Sequence, residues 1–274
     1  MHLREQVERA AASLKTLMPG LESPVAFIQL GSGFKLEGLL DNEQVRVPFT
    51  ALEGMPSSAS AAGHRLELVL GRAGDRQVLV AVGRRHLYEG VGVAPCVLPV
   101  CAAVFLGIRR VVLLAACGSV NSEFHPGSVV AFTDYINNLG TSPLVGARPL
   151  GESYFVEMGE PFSNAMVSGF VNAAAEEELD VRLGVYQANL GPQFETPAEV
   201  EMARGNGADL VGMSTVPETI AARALGAEVM GVGLVTNMAA SNDGRVISHA
   251  DVTAISASRS SVIMKSLKRW FSEF

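Results

Sequence analysis

Positive charge is scarce in this sequence. The 274 residues include 21 Lys and Arg against 28 Asp and Glu, which gives a formal net charge of −7. Proteins that bind nucleic acids need clustered Lys and Arg to neutralise phosphates, so the composition predicts no nucleic-acid partner. Only 18% of the residues are charged while 48% are hydrophobic. This balance excludes a disordered chain and predicts a full hydrophobic core.

Cysteine is also scarce. Cys96, Cys101 and Cys117 lie in apolar stretches without the Cys and His spacing of a metal site. An odd number of such thiols predicts reduced cysteines, a cytoplasmic location and no bound metal. The first fifteen residues are charged and amphipathic and lack the apolar block of a signal peptide.

One uncharged run, residues 91–108, approaches the length of a membrane-spanning helix. Pro95 and Pro99 interrupt its first half, and both would break the helix that a bilayer requires. We therefore predict a buried helix near 99–107 and no association with a membrane.

Apolar runs of strand length alternate with helical patterns, without a linker, an internal repeat or a low-complexity tract. The predicted strands are 25–30, 65–70, 76–82, 110–116, 128–134, 183–189, 208–213 and 228–235, and the predicted helices are 3–18, 99–107, 163–179, 197–205, 216–225 and 249–271. Several strand runs are almost continuously apolar, which is typical of strands covered on both faces. The pattern predicts an α/β fold in which residues 1–274 form a single domain with a central mixed β-sheet flanked by helices.

Two helix starts have the sequence of a capping box. Thr196, Pro197 and Glu199 provide an N-cap, a proline at the first helical position and the returning carboxylate. Thr215 and Glu218 have the same spacing and predict the same arrangement.

Three polar clusters follow predicted strands, where ligands bind in open α/β sheets. Ser32 lies in a Gly-Ser-Gly turn, Arg84 and His86 share a face after the predicted strand 76–82, and Ser214 precedes a helix. Together their hydroxyls and charges would surround a dianion such as inorganic phosphate. Taken singly, the same residues are also compatible with a plain turn, a polar loop and a helix cap. The first turn lacks the full dinucleotide-binding glycine pattern, and the stretch around Ser214 lacks the second glycine of a serine-hydrolase elbow.

A fourth cluster offers groups that suit a purine base. Phe194 and Glu195 precede a helix, and Thr236 and Asn237 end an apolar strand. An aromatic face, a carboxylate and a carboxamide supply stacking, an acceptor and an adaptable donor or acceptor. Alternatively, Glu195 favours the N-terminus of the following helix and Asn237 satisfies a turn.

The motifs that hold these residues resemble the trimeric class of purine nucleoside phosphorylases, which includes the methylthioadenosine phosphorylases. The shared stretches are GSG at 31–33, GRRHLYEG at 83–90, AACGSVN at 115–121, GPQFETPAE at 191–199, VGMSTVPE at 211–218 and VTN at 235–237. They occur in the order and spacing of the family from about residue 24 to the C-terminus.

The resemblance implies phosphorolysis of purine nucleosides, with inorganic phosphate as co-substrate and no other cofactor. It implies a phosphate site made by Ser32, Arg84, His86, Ala116 and Ser214. It implies Tyr88 and Met213 along the ribose, His249 near the 5′-hydroxyl, Phe194 against the base, and Glu195 and Asn237 at its edge. His86, Glu195 and Asn237 are the expected catalytic residues. Phe155 would reach a neighbouring subunit of a homotrimer.

Two other functions remain as alternatives. A 5′-methylthio-nucleoside phosphorylase would usually have an acidic residue at position 237 and an apolar one at position 249, unlike Asn237 and His249 here. A non-catalytic purine-binding protein would be expected to lose Arg84, His86 or Ser214. Lys35 and the altered segment 140–163 depart from the family pattern and leave the preferred nucleoside open.

Overall fold

A computed structural model describes residues 2–57, 66–146, 149–239 and 249–274, except for the side chains of 249–252. The helices are α1 (Leu3–Leu17), α2 (Val93–Phe105), α3 (Asn164–Glu176), α4 (Pro197–Gly205), α5 (Val216–Ala224) and α6 (His249–Phe271). The strands are β1 (Ala26–Gln29), β2 (Asn42–Pro48), β3 (Glu67–Ala73), β4 (Arg76–Val82), β5 (Arg110–Ser119), β6 (Val129–Asn138), β7 (Val181–Asn189), β8 (Leu210–Gly212) and β9 (Glu228–Met238).

The described strands form one mixed sheet in the order β2-β3-β4-β1-β5-β8-β7-β6-β9. Strand β9 also pairs with β5, so that β5, β8, β7, β6 and β9 close into a ring. Strand β5 is the centre of this arrangement because it pairs with β1, β8 and β9. The α/β fold with a central mixed sheet flanked by helices is therefore confirmed.

Helices cover both faces of the sheet. Along β5, Val111, Leu113 and Ala115 pack in one core with residues of α1, α2 and α5, while Val112 and Leu114 pack in a second core with α3 and α6. Alternate residues of a strand point to opposite faces. Burial on both faces therefore explains why the strand sequences are continuously apolar.

The sequence patterns did not predict strand β2. Its sequence, NEQVRVP, is mostly polar, and only Val45 and Val47 are half-buried among its exposed neighbours. The strand pairs with β3 alone, so it lies at the edge of the sheet with little apolar surface to cover. Edge strands of this kind have a weak hydrophobic pattern because one side faces water.

Helix α2 begins six residues earlier than predicted. Pro95 lies in the first turn, where a backbone N–H has no partner within the helix. Pro99 lies inside the helix, and the N–H that it lacks would have bonded to the carbonyl of Pro95. The helix is nevertheless retained because its residues from Cys96 to Val104 are buried. None of the described helices is both long enough and apolar enough to cross a membrane.

Gly231 in β9 tests how tightly the core beside β5 is packed. A Cβ there would overlap the ring of Phe132 and lie 3.0 Å from Phe162. Phe132 stacks on Tyr186 with ring centroids 4.7 Å apart, so it has no room to move aside. We expect Gly231→Ala to lower the free energy of unfolding by about 1–3 kcal/mol, measured by urea unfolding.

The matched control for this substitution is Gly205→Ala. A Cβ at Gly205 meets nothing within 4 Å. This variant should unfold at the same or a slightly higher urea concentration, since alanine favours helix over glycine. Equal stability of the two variants would contradict the tight packing at Gly231.

Candidate active site

A cavity of about 260 Å³ opens where the chain leaves β1, β4, β5, β7, β8 and β9. The structure brings most of the predicted site residues to its wall. They are Ser32, Arg84, His86, Tyr88, Ala116, Phe194, Glu195, Met213, Ser214 and Asn237. The wall of this one cavity carries cationic and hydroxyl groups together with an aromatic ring, a carboxylate and an amide.

Arg84 is the most constrained of these residues. Its side chain is 2% exposed, and Nη2 donates to the backbone carbonyls of Gln29 (3.2 Å) and Leu114 (2.7 Å). These carbonyls belong to β1 and β5, so the guanidinium is attached to two neighbouring strands. Glu218 Oε1 lies 3.5 Å from Nη1 and provides the opposite charge that a buried cation requires.

Thr215 links Arg84 to Ser214. Its Oγ1 accepts from Arg84 Nη1 at 3.2 Å and lies 3.2 Å from Ser214 Oγ. The backbone of Thr215 has φ 72° and ψ −47°, and the N–H of Val216 donates to the carbonyl of Ser214 at 2.8 Å. This is a γ-turn with positive φ, a strained conformation that is rare for a β-branched residue. Strain of this kind concentrates at functional sites, and here it places two hydroxyls beside the arginine.

The capping box predicted at Thr215 and Glu218 is therefore wrong. Thr215 makes no side-chain capping bond, and Glu218 is buried beside Arg84. The attraction between two buried opposite charges outweighs a capping bond at the helix end. At α4 the prediction is confirmed, because Thr196 and Glu199 exchange bonds of 3.2 and 2.8 Å.

Tyr186 holds the backbone of Ser214 from behind. The Ser214 N–H donates to Tyr186 Oη at 3.1 Å, and Oη donates to the Ser214 carbonyl at 3.2 Å. Burial raises the pKa of the Tyr186 phenol, so it keeps the proton that it donates. Gly212 allows this approach, since a Cβ there would lie 2.6 Å from Oη.

The stretch from Arg84 to Glu89 divides its side chains between two directions. Arg84 and His86 line the cavity, as their alternate spacing predicts. Arg85 points elsewhere, and its Nη1 donates to Glu89 Oε2 at 2.7 Å. The His86 ring stacks on Tyr88 with centroids 4.8 Å apart, and the His86 N–H donates to Glu89 Oε1 at 2.8 Å. Glu89 thus anchors the loop that carries His86.

The loop of Ser32 rests on α6. Gly33 has φ 80°, and a Cβ there would lie 2.7 Å from the carbonyl oxygen of Thr253. Ser260 Oγ accepts from the Lys35 N–H at 2.8 Å and donates to the Lys35 carbonyl at 3.1 Å. The Lys35 side chain is exposed and does not line the cavity. Its departure from the family pattern therefore leaves the cavity wall unchanged.

A β-bulge turns Asn237 into the cavity. In the pairing of β5 with β9, Cys117 lies opposite Val235 and Gly118 lies opposite Asn237, so that Thr236 is the extra residue. Thr236 Oγ1 lies 2.9 Å from Asn237 Oδ1, and Asn237 Nδ2 lies 3.3 Å from the Met238 carbonyl. Glu195 also lines the cavity, and its Oε1 accepts from Asn189 Nδ2 at 2.7 Å.

Two predicted site residues are not in this cavity. Phe155 is 85% exposed and lies in a separate, larger cleft of about 780 Å³, which is also lined by Arg4, Arg109 and Arg223. That cleft contains none of the polar residues at the strand ends, so its size does not make it the site. His249 begins α6, and its side chain lies outside the described residues.

Sequence reasoning missed four residues of the site, namely Tyr186, Asn189, Thr215 and Glu218. Tyr186 lies in an apolar run, which predicts a core residue. Thr215 and Glu218 fit a capping pattern, and Asn189 ends a strand as many asparagines do. No sequence signal identifies their partners, which are 6 to 134 positions away and meet only in the folded chain.

The chain is similar in sequence to known proteins over most of its length. The family model of the phosphorylase superfamily matches residues 26–269. The purine nucleoside phosphorylase of Mycobacterium leprae is 40% identical over 251 residues, which cover 91% of this chain and 90% of that protein. Purine nucleoside phosphorylase 1 of Geobacillus stearothermophilus is 38% identical over the same length, with the same coverage.

Solved structures of purine nucleoside phosphorylases have a similar fold. The purine nucleoside phosphorylase of Schistosoma mansoni in complex with adenosine has a TM-score of 0.90 and 29% identity, covering 98% of this chain and 97% of that one. Its complex with inosine has a TM-score of 0.89 at the same identity, covering 98% and 96%. The fold is thus that of a nucleoside phosphorylase. The chain belongs to the phosphorylase superfamily and, within it, to the purine nucleoside phosphorylases.

The loop anchored by Glu89 predicts a pH dependence of stability. Burial would raise the pKa of Glu89, but hydrogen bonds from His86 and Arg85 outweigh it and lower the pKa from 4.5 to about 2. A lowered folded-state pKa contributes stability that is present above pH 4.5 and is lost as the pH falls toward 2. Glu89→Gln should therefore flatten the dependence of the unfolding free energy on pH across this interval, measured by urea unfolding.

The control for Glu89 is Glu37→Gln, which changes an exposed glutamate. This variant should lose stability with acid as steeply as the unmodified protein. An unchanged slope in Glu89→Gln would contradict the anchoring role of Glu89.

Proposed function

We propose that this protein cleaves the N-glycosidic bond of 6-oxopurine ribonucleosides and deoxyribonucleosides with inorganic phosphate. Inosine and guanosine are the proposed substrates, and the products are the free base and ribose or deoxyribose 1-phosphate. The observation that carries the proposal is one cavity whose wall holds groups that suit an anion together with groups that suit a purine base. The named relatives, all purine nucleoside phosphorylases, support it.

The proposed phosphate site consists of Ser32, Arg84, His86, Ala116 and Ser214. Arg84 supplies a permanent charge whose position is set by two strand carbonyls. Ser214 and Ser32 supply hydroxyl donors, and His86 adds a ring N–H. Charge-assisted hydrogen bonds of this type are about twice as strong as neutral ones.

The proposed nucleoside site lies beside the phosphate. Tyr88 and Met213 flank the ribose, and His249 is assigned to the 5′-hydroxyl. Phe194 covers the base with its ring, which is 43% exposed without a ligand. Glu195 and Asn237 bind the edge of the base, Glu195 as an acceptor for ring N–H and Asn237 through both ends of its amide.

His86, Glu195 and Asn237 are the proposed catalytic residues. A phosphate oxygen forms a bond to C1′ while the C1′–N9 bond breaks and its electron pair stays on the base. Cleavage of a glycosidic bond builds positive charge on the sugar, which the bound dianion offsets. Asn237 and Glu195 stabilise the negative charge that develops on the departing base, and His86 helps to hold the phosphate.

This chemistry uses groups of the chain and the co-substrate, so we propose no cofactor besides phosphate and no bound metal. We place the protein in the cytoplasm, because Cys96, Cys101 and Cys117 are free and buried. Residues 1–274 are proposed to act as one domain.

We further propose a homotrimer in which Phe155 covers the sugar of the neighbouring site. Phe155 and Tyr154 are 85% and 58% exposed, and their rings lie 5.4 Å apart. Two exposed aromatic rings in one segment suit a contact with another subunit better than contact with water.

The first test concerns phosphate. Base release from inosine should require phosphate, and Ser214→Ala should raise the KM for phosphate by roughly 10- to 150-fold, because a hydrogen bond to a charged group contributes ~1.5–3 kcal/mol. The double variant Arg84→Gln with Glu218→Gln removes both buried charges, so that neither is left unpaired. It should raise the KM for phosphate by at least the same factor. Equal rates of base release with and without phosphate would indicate a hydrolase and refute the proposal.

The second test concerns the base. Asn237 can donate to O6 and accept from N7–H of a 6-oxopurine, whereas a 6-amino group presents a donor to the amide N–H. Inosine or guanosine should be cleaved at least about tenfold better than adenosine, since an unpaired buried group costs ~1–3 kcal/mol. Asn237→Asp should shift kcat/KM toward adenosine, while Asn206→Asp, at the exposed end of α4, should not.

Equal kcat/KM for inosine and adenosine in the unmodified protein would contradict this selectivity. The Schistosoma mansoni protein has been solved with both nucleosides. The test therefore depends on cleavage rates and not on binding alone.

The third test concerns assembly. Light scattering should give a particle of three times the 28.9 kDa chain mass. At a phosphate concentration well below the raised KM of Ser214→Ala, both Phe155→Ala and Ser214→Ala should have low activity, but mixed trimers of the two should regain part of it. In such trimers an intact site receives Phe155 from its neighbour. A fully active monomer, or no recovery on mixing, would rule out the arrangement.

A further inference from the structure

Behind Glu195 lies a chain of amide groups that the proposed mechanism does not use. Asn189 Nδ2 donates to Glu195 Oε1 at 2.7 Å. The Oδ1 of Asn189 accepts from Asn138 Nδ2 at 2.9 Å and from Gln187 Nε2 at 3.0 Å. The parallel pairing of β6 with β7 places Asn138 directly beside Asn189. The last residues of two strands thus support the carboxylate that lines the cavity.

The charge of Glu195 determines the orientation of all three amides. An ionised carboxylate only accepts hydrogen bonds, so Asn189 must turn its NH₂ group toward Glu195. Its oxygen then faces Asn138 and Gln187, and both must present N–H to it. Gln187 is 1% exposed, and its Oε1 has no hydrogen-bond partner among the described residues. The buried glutamine therefore uses its NH₂ group for Asn189 even though its own oxygen stays unpaired.

This arrangement leaves Oε2 of Glu195 without a hydrogen-bond partner among the described residues. Oε1 is occupied by Asn189, and no charged side chain of the described residues forms an ion pair with Glu195. Oε2 is therefore the oxygen available to a bound base, and it is available as an acceptor.

We propose that Asn189 is a positioning residue that holds Glu195 as an acceptor and so makes the site select purines with a hydrogen on ring N1. The inference rests on the proposed function, because it assigns the base edge that Glu195 meets. A 6-oxopurine carries a hydrogen on N1, whereas a 6-aminopurine has a lone pair there. A lone pair facing the carboxylate would be repelled. Asn189 therefore acts at N1, on the other side of O6 from the N7 edge assigned to Asn237.

The test compares the full-length protein with Asn189→Leu, which has similar volume but no amide. The kcat/KM for inosine should fall about tenfold, which corresponds to ~1.4 kcal/mol. The kcat/KM for adenosine should stay within about twofold, so the ratio of the two falls. The matched control is Asn121→Leu, since Asn121 Nδ2 also donates to a carboxylate, Asp209 Oδ1, at 2.7 Å, but outside the cavity. This control should keep the ratio of the unmodified protein.

A second variant, Asn189→Asp, keeps the shape of the side chain and adds a pH signature. Two carboxyl groups at hydrogen-bond distance must share a proton, which raises one pKa. At low pH the shared proton replaces the Asn189 N–H, so cleavage of inosine is retained. As the pH rises the proton is lost and the rate should fall at a lower pH than in the unmodified protein. Asn189→Asp also tests the role of Asn189 if Asn189→Leu fails to fold.

The outcomes distinguish a failure of the role of Asn189 from a failure of the proposed function. If the unmodified protein cleaves inosine with phosphate but Asn189→Leu keeps the inosine-to-adenosine ratio, or Asn189→Asp keeps the pH profile of the unmodified protein, the role of Asn189 is overturned and the proposed function stands. If the unmodified protein does not cleave inosine, both are overturned. A lowered ratio with an altered pH profile supports the inference.

Discussion

The site depends on one buried cation. Arg84 bonds to carbonyls of Gln29, which ends β1, and of Leu114 within β5. It also bonds to Thr215 ahead of α5 and lies beside Glu218 within α5. A buried guanidinium is costly unless its charge is paired and its donors are bonded. Nη1 and Nη2 of Arg84 are bonded, whereas Nε has no hydrogen-bond partner among the described residues. The two strands and the helix must therefore meet in one arrangement, and that arrangement also places Ser214 and His86 at the cavity wall.

Different interactions hold the residues of the two proposed sites in this cavity. At the proposed phosphate site, the buried charges, the strained turn at Thr215 and the phenol of Tyr186 hold hydrogen-bond donors in place. Groups that are already oriented need no rearrangement when charge develops, which is how preorganised sites stabilise transition states. At the proposed base site, neutral amides orient the carboxylate of Glu195, and Asn237 follows a β-bulge. Neutral amides can distinguish donors from acceptors, which is what recognition of a base requires.

Hydrophobic patterning predicted the elements with large buried faces and failed where burial was small or proline was present. Strands such as β5 and β9 are apolar throughout because helices cover both of their faces. Edge strand β2 buries little, so its pattern is weak. The start of α2 was missed because its two prolines disfavour a helix, whereas burial of the residues from Cys96 to Val104 stabilises it.

The sequence by itself determined which chemical groups are available and roughly where the chain turns to present them. Its motifs contain Ser32, Arg84, His86, Ser214, Glu195 and Asn237, and strand-end positions predicted that they would gather. Only the tertiary structure decided which groups support them. Thr215 and Glu218 join Arg84 from 131 and 134 positions away, and Asn189 meets Asn138 across paired strands. The physical reason is that a polar side chain takes whichever partner the packed core leaves within hydrogen-bond distance, and core packing depends on the whole chain and not on the residues beside it.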